Sequence, residues 1–313
     1  MDPLGSSLSV APTRPRVSIG VPVYNGERYL ATALQSVIDS TFGDWEMIVS
    51  DNASTDGTVA IVESFMARDP RICLRRNPSN IGALPNFNAV VHAARGEFFK
   101  WLAYDDVLDP TMLERCVEVL DRDPSVVLSN GRFREIDGNG ATLRDEPYQL
   151  DLTSRKPHRR LSVLMGTDAG HPILYGLIRL DVLRQTHLLA SYHGSDRALL
   201  AELALRGRIW ETPDILWSSR EHPDRSVYVR STVAGWDRPD GHRLPTHLVI
   251  TRHMARIIAS SPLSVAERLR CGAVLAVRVA ERAPSLVPTF LAELKDAVRT
   301  ITHRASSRDR GAP

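Results

Sequence analysis

Three stretches decide how this chain is read: VSIGVPVYNGERYL (17–30), WEMIVSDNASTDGT (45–58) and GEFFKWLAYDDVLDP (96–110). Each begins as a short apolar, β-rich run and ends in a polar loop. The loops carry Asp51, Asp56, Asp105 and Asp106. Between the runs, apolar residues recur at helical spacing. Leu30, Ala33, Leu34, Val37 and Ile38 follow the first, and Val59, Ile61, Val62, Phe65 and Met66 follow the second. Further strands are expected at 71–76 and 125–133. Pro85 opens a helix that Gly96 closes, and Asp109-Pro110 reads as N-cap and first residue of another. Strands alternating with helices indicate a doubly wound, mostly parallel α/β sheet flanked by helices. Ligands of such sheets sit beyond the carboxyl ends of the strands, where all three loops lie.

Past Arg134 the pattern changes. Residues 138–149 read as loop, 159–166 as a short helix and 173–183 as strand then helix. SDRALLAELALRGR (195–208) is a helix with Gly194 or Ser195 as cap and Gly207 as stop. IWETPDILWSSREH (209–222) reads as strand, turn, strand. Three helical segments follow, near 246–260, 264–282 and 286–303.

Composition sets outer bounds. With 313 residues, 43% hydrophobic and 24% charged, the chain has enough material for a packed core. A formal charge of +2 argues against nucleic acid as a partner. The three cysteines (Cys73, Cys116, Cys271) lie far apart with no CxxC spacing, so buried, reduced thiols in a cytoplasmic protein are expected. No stretch reaches the ~18 uninterrupted apolar residues of a membrane span; residues 271–283 are short and broken by Arg278. The first residues lack the apolar core of a signal peptide and read as a disordered lead-in.

Several residues are candidates for chemistry. Asp51, one position past an apolar strand, suits a base N–H or a ribose hydroxyl, or is a turn aspartate. Asp56 precedes a helical pattern and suits an N-cap. Asp105 and Asp106 are adjacent carboxylates whose repulsion a divalent cation would relieve, and hard oxygen ligands suit Mg²⁺ or Mn²⁺ bound through substrate phosphates. Asp196 is either a first-turn carboxylate favoured by the helix dipole or a general base. His222 suits a phosphate or a metal. The chain has no GxGxxG after the first strand, no GxxxxGK[ST], no HExxH and no GxSxG, which removes the dinucleotide, P-loop, zinc-protease and serine-hydrolase readings.

Taken together, VSIGVPVYNGERYLATALQSV, VSDNASTDGT, RNPSNIGALPNFN and GEFFKWLAYDDVLDP resemble family 2 glycosyltransferases of the GT-A fold, from about Val17 to Asp123 and more weakly to Glu221. The resemblance implies inverting, non-processive transfer of one sugar from a nucleotide-diphosphate sugar to a carbohydrate or lipid-linked acceptor, in cell-envelope polysaccharide or glycolipid synthesis. It places Pro22, Tyr24 and Glu27 in the first donor-binding loop, Asp51 against the nucleobase, and Asn80 and Gly82 along the nucleotide pocket. It places Asp105 and Asp106 at ribose, metal and diphosphate, and makes Asp196 the catalytic base. Two departures stand out. Ala103 occupies the place of the first carboxylate of the DxD-type motif, so metal binding falls to Asp105 with Asp106 or His222. Ser195 replaces the acid of the family's ED pair. The QxxRW signature of processive synthases is missing. The implied organisation is a lead-in at 1–15, a nucleotide-sugar half at 16–130, an acceptor half at 131–230 and a helical region at 231–313. His171, Tyr175, Trp210 and Trp217 are candidates for stacking on an acceptor sugar. Arginines at 252, 256, 268, 270, 278, 282, 299 and 304 suit either a solvated cap or peripheral contact with the inner face of a membrane. A non-catalytic sugar-nucleotide binder and a nucleotidyltransferase are the rival readings; the latter lacks its Gly-rich basic loop.

Overall fold

A computed structural model of the protein describes residues 14–146, 150–167, 172–190, 192, 194–223 and 246–281. In chain order these form β1 (Val17–Val23), α1 (Leu30–Ile38), β2 (Trp45–Asp51), α2 (Thr58–Met66), β3 (Ile72–Arg76), α3 (Ala83–Ala93), β4 (Phe98–Trp101) and β5 (Val107–Leu108). Then come α4 (Met112–Arg122), β6 (Val126–Ile136), β7 (Thr142–Asp145), α5 (Pro157–Met165), a 3₁₀ turn (Pro172–Tyr175), β8 (Leu177–Arg179), α6 (Leu180–Leu183), α7 (Ser195–Arg206), β9 (Arg208–Arg220) and α8 (Thr246–Ser260). A last helix, α9, covers residues 265–281. The helix expected near 286–303 lies outside the described residues, as do His171, Arg282, Arg299 and Arg304.

One mixed sheet organises the described residues, in the order β3-β2-β1-β4-β8-β6-β9-β5, with β7 paired to β6. β3, β2, β1 and β4 run parallel, as the alternating pattern predicts. Every residue of β1 and β2 is buried, because parallel strands are covered on both faces. Val17, Ile19, Val21, Met47 and Val49 face a core shared with Leu30, Leu34, Val62, Met112 and Cys116 of α1, α2 and α4. Phe99 and Trp101 face the other core, with Val90, Leu161, Leu199, Ile257 and Leu275 of α3, α5, α7, α8 and α9. The two expected halves meet within this one sheet, since β6 runs across residue 130.

Four local expectations are corrected. The 209–222 stretch holds a single long strand, ending at Arg220, rather than two: β9 pairs with β6 across a register shift that takes Gly131 to Thr212 and Arg132 to Ile215. Pro213 and Asp214 fall in that shift, which is how a ladder accommodates a residue with no N–H. The cap positions of α2 and α4 are Gly57 and Thr111, each one or two residues later than expected. Asp56 and Asp109 instead accept the N–H groups of Thr58 and Thr111 from just outside the helix. α3 starts at Ala83, before Pro85. Cys116 and Cys271 are buried as expected, but Cys73 is exposed.

Candidate functional site

The loop after β2 is the best-tied part of the sheet edge. Asp51 ends β2 fully buried, with Oδ1 accepting the Ser54 N–H at 3.1 Å. Its Oδ2 is buried without a hydrogen-bond partner among the described residues, and Arg76 Nε stands 3.9 Å away. The next residue, Asn52, works as a clamp. Its Nδ2 donates to Asn80 Oδ1 (2.8 Å) and Gly82 O (3.2 Å), and its Oδ1 accepts from Ile81 N (3.0 Å) and Asn77 Nδ2 (3.1 Å). Asn77 also donates to Asn86 Oδ1, and Asn86 Nδ2 donates to Ser50 O, so the whole 77–82 loop is tied to the end of β2. Gly82 makes the turn into α3 with φ 88°, a conformation costly for any residue with a Cβ.

The loop after β1 is fastened to the start of α2. Pro22 is buried in β1, paired with Ser50. Glu27 Oε2 accepts the Gly57 N–H (2.7 Å), and Asp56 Oδ2 accepts the Glu27 N–H (3.1 Å). Glu27 thus satisfies one of the free N–H groups at the start of α2. Burial works against the charged form of Asp56, but bonds from Thr58 and Glu27 outweigh it and hold its pKa low. Tyr24 projects from the same loop, 44% exposed.

The loop after β4 meets the far end of β9. Asp105 Oδ2 lies 2.9 Å from His222 Nε2, and both residues are buried. His222 Nδ1 is buried without a partner among the described residues. Asp106 Oδ1 accepts the Arg220 N–H (3.1 Å), so this carboxylate pins the end of β9 to the loop. Arg220 Nε donates to Asp105 O (3.0 Å), and its guanidinium sits 4.9 Å over the Tyr29 ring. Tyr29 in turn packs against the His222 ring at 4.8 Å. Beneath this loop Lys100 is completely enclosed in β4; burial lowers its pKa to about 8, and its Nζ donates to Tyr175 O.

Asp196 stands apart from these clusters, exposed in the first turn of α7. The other end of that helix is anchored at the opposite sheet edge, where Arg206 donates to Gln185 O and Arg208 N to Ser125 O. Of the stacking candidates, Trp217 is buried against Phe133 at 4.9 Å, Tyr175 is half-buried, and Trp210 is 40% exposed.

Among the described residues no three metal-ligating side chains converge. Asp105 and His222 supply two ligands already in contact, which fits a hard cation that completes its shell with phosphate and water oxygens. Sequence reasoning overlooked Asn52, Asn77, Asn86, Tyr29 and Arg220. Only the run of asparagines in DNAS and RNPSN gave a signal for any of them.

An edge of this kind, at the carboxyl ends of parallel strands, is where α/β proteins bind nucleotides. Comparison with known proteins narrows the class. The sequence profile described as Glycosyl transferase family 2 matches residues 18–178, and the chain belongs to that family. An uncharacterized glycosyltransferase of Haemophilus influenzae is 30% identical over 220 residues, covering 69% of this chain and 68% of that protein. The putative glycosyltransferase EpsE of Bacillus subtilis is 32% identical over 133 residues, 42% of this chain and 45% of EpsE. Chondroitin synthase of Escherichia coli is 31% identical over 143 residues, 45% of this chain but only 20% of the synthase. The chain thus spans less than half the length of these last two relatives. Among solved structures, S. aureus TarS 1-349 in complex with UDP superimposes with a TM-score of 0.61 at 19% identity, covering 86% of this chain and 73% of that 1-349 chain. The GT-A arrangement of sheet and helices is therefore the fold of this protein.

Proposed function

We propose that this protein transfers a single sugar, with inversion, from a nucleotide-diphosphate sugar to an acceptor hydroxyl. One observation carries the reading: the buried Asp105–His222 pair after β4 shares a sheet edge with the buried, incompletely bonded Asp51. Asp51 receives the donor's base or ribose, whose N–H or O–H meets the unused Oδ2. The 77–82 loop, held by Asn52, and the Tyr24–Glu27 loop line the rest of the nucleotide. Asp105 and His222 hold a Mg²⁺ or Mn²⁺ ion, while Asp106 fixes their spacing through Arg220. When bound, the ion neutralises charge on the diphosphate leaving group. Asp196 takes the proton of the acceptor hydroxyl as it attacks the opposite face of the anomeric carbon.

Related folds supply context for the donor. TarS has been solved with UDP-GlcNAc, and a mannosyltransferase of Pyrobaculum calidifontis, similar at a TM-score of 0.51, with GDP-Man and Mn²⁺. The acceptor is a carbohydrate or a lipid-linked glycan of the cell envelope, met in the cytoplasm or at the inner membrane face. Among the described residues no helix is long and apolar enough to cross a membrane.

The test begins with a thermal-shift screen of UDP-, GDP- and dTDP-sugars with and without Mn²⁺, which identifies the donor. Asp196→Asn should then lower transfer by ~10²–10⁴ while donor affinity stays unchanged. Asp105→Ala should abolish the gain in donor affinity that Mn²⁺ confers. Full turnover in the first variant would reject the base, and a Mn²⁺ gain persisting in the second would reject the metal site.

A further inference from the structure

Behind the Asp105–His222 pair lies a groove that the sugar-transfer reading does not use. It runs between the start of α1 and the β6–β7 hairpin and encloses about 500 Å³. Arg28, Tyr29, Arg134, Gly138, Gly140 and Arg220 line it, and its lining includes no aspartate or glutamate. We propose that this groove is a second binding site, one that takes a phosphate monoester of sugar-phosphate size.

Three features of the groove argue for an anion. The Tyr29 hydroxyl is buried and lacks a hydrogen-bond partner among the described residues, although the ring is only 6% exposed. A buried polar atom of this kind points to a partner that arrives from outside. The hydroxyl faces Gly138: a Cβ there would lie 3.2 Å from Tyr29 Oη and 3.8 Å from Arg28 Nη2. The bare glycine therefore keeps open the spot where a hydroxyl and a guanidinium converge. Finally, the cations differ in what already holds them. Arg134 Nε is paired with Asp145 at 2.7 Å, and Arg220 Nη1 donates to Asp137 O and Gly138 O. Arg28 is exposed, with its guanidinium 5.0 Å from the Tyr29 ring and no ion pair among the described residues.

The carboxylates around the groove are already engaged: Asp145 pairs with Arg134, and Asp137 attracts Arg220 while being held in its own turn. Asp137 accepts the N–H groups of Ala141 (2.9 Å) and Asn139 (2.8 Å) and so belongs to the hairpin turn. Planar guanidinium groups and a hydroxyl donor suit the oxygens of a phosphate. The groove is larger than a bare phosphate and has room for a phosphorylated sugar.

The groove is separate from the donor edge but shares a wall with it. Tyr29 meets His222 on one side and Arg28 on the other, and Arg220 reaches both Asp105 and the hairpin. The proposal does not depend on sugar transfer, since it needs only the groove.

Calorimetric titration of the whole protein tests it, with glucose 1-phosphate, inorganic phosphate and glucose as probes, each with and without saturating UDP. Glucose 1-phosphate should bind one equivalent in both conditions, phosphate more weakly, and glucose not at all. Arg28→Gln and Tyr29→Phe should each weaken glucose 1-phosphate about tenfold, in line with loss of one charge-assisted or one neutral donor. Gly138→Val should abolish binding, and Arg28→Gln should leave UDP affinity unchanged. Competition with UDP, equal affinity across the variants, binding of phosphate alone, or no binding by either phosphate would each overturn the proposal. Failure of UDP, GDP and dTDP alike to bind the wild-type protein would instead strike the donor reading.

Discussion

The two ends of the sheet are built on different rules. In β3-β2-β1-β4 all strands run parallel and each connection crosses a helix, as the alternating sequence pattern implies. In β8-β6-β9-β5 the directions are mixed: β6 is antiparallel to β8 but parallel to β9, β9 shifts register against β6, and the two-residue β5 pairs antiparallel with a strand that begins at Arg208. The first half is a scaffold whose inner strands β1, β2 and β4 are buried throughout, with β3 at its exposed edge. The second half closes the site by bringing a distant strand end over the loop of the first. The difference teaches where the proposed site is joined: at the seam, where Asp105 of one half meets His222 from the end of β9 in the other.

The largest effect expected within this comparison concerns packing. Trp101 of β4 is enclosed, edge-on to Phe99, with its indole N–H donating to Phe87 O at 3.0 Å. Trp101→Ala should cost about 3–5 kcal/mol, whereas Trp210→Ala, on the exposed face of β9, should stay within about 0.5 kcal/mol. Urea unfolding of the two variants measures the contrast, and equal losses would erase it.

A smaller effect concerns the clamp. Asn52→Ala removes the partners of Asn80, Gly82, Ile81 and Asn77 and should cost about 1–3 kcal/mol. Amide exchange at Ile81 should accelerate and donor affinity should fall. Unchanged exchange would mean that the 77–82 loop holds its shape without Asn52.

The smallest effect sharpens the contrast through pH. Glu211 of β9 carries a carboxyl that burial pushes up from 4.5 to about 7, with the Leu150 backbone and Arg132 opposing. The folded protein therefore holds this proton more tightly than the unfolded chain. The associated stability is complete below pH ~4.5 and is lost as the pH rises through ~7. Glu211→Gln should match the wild type near pH ~4.5 and be the more stable of the two at pH ~8. Thermal melts across that range decide it, and curves that stay parallel would show that Glu211 is ordinarily solvated.

Much of the parallel half was legible because its information is local. The runs at 17–23 and 45–51 are continuous and apolar, and the helices between them repeat at helical spacing. β9 was misread as two strands because Pro213 is a turn residue in any local window, and only the partner strand creates the register shift that absorbs it. The carboxylates at 51 and 105 could be placed at a strand edge from sequence. The asparagine clamp could not, because an asparagine in a loop has the same local pattern whether it binds water or the backbone of a neighbouring loop.

What the sequence determined alone was the periodic pattern, hence the parallel sheet, its polar edge and the family motifs that sit there. Only the tertiary structure put His222 Nε2 against the Asp105 carboxylate, 117 positions away in the chain, and set Tyr29 between that pair and a second groove. The physical reason is range. Periodicity records which face of an element avoids water, while a contact between distant loops depends on how every strand between them pairs and packs.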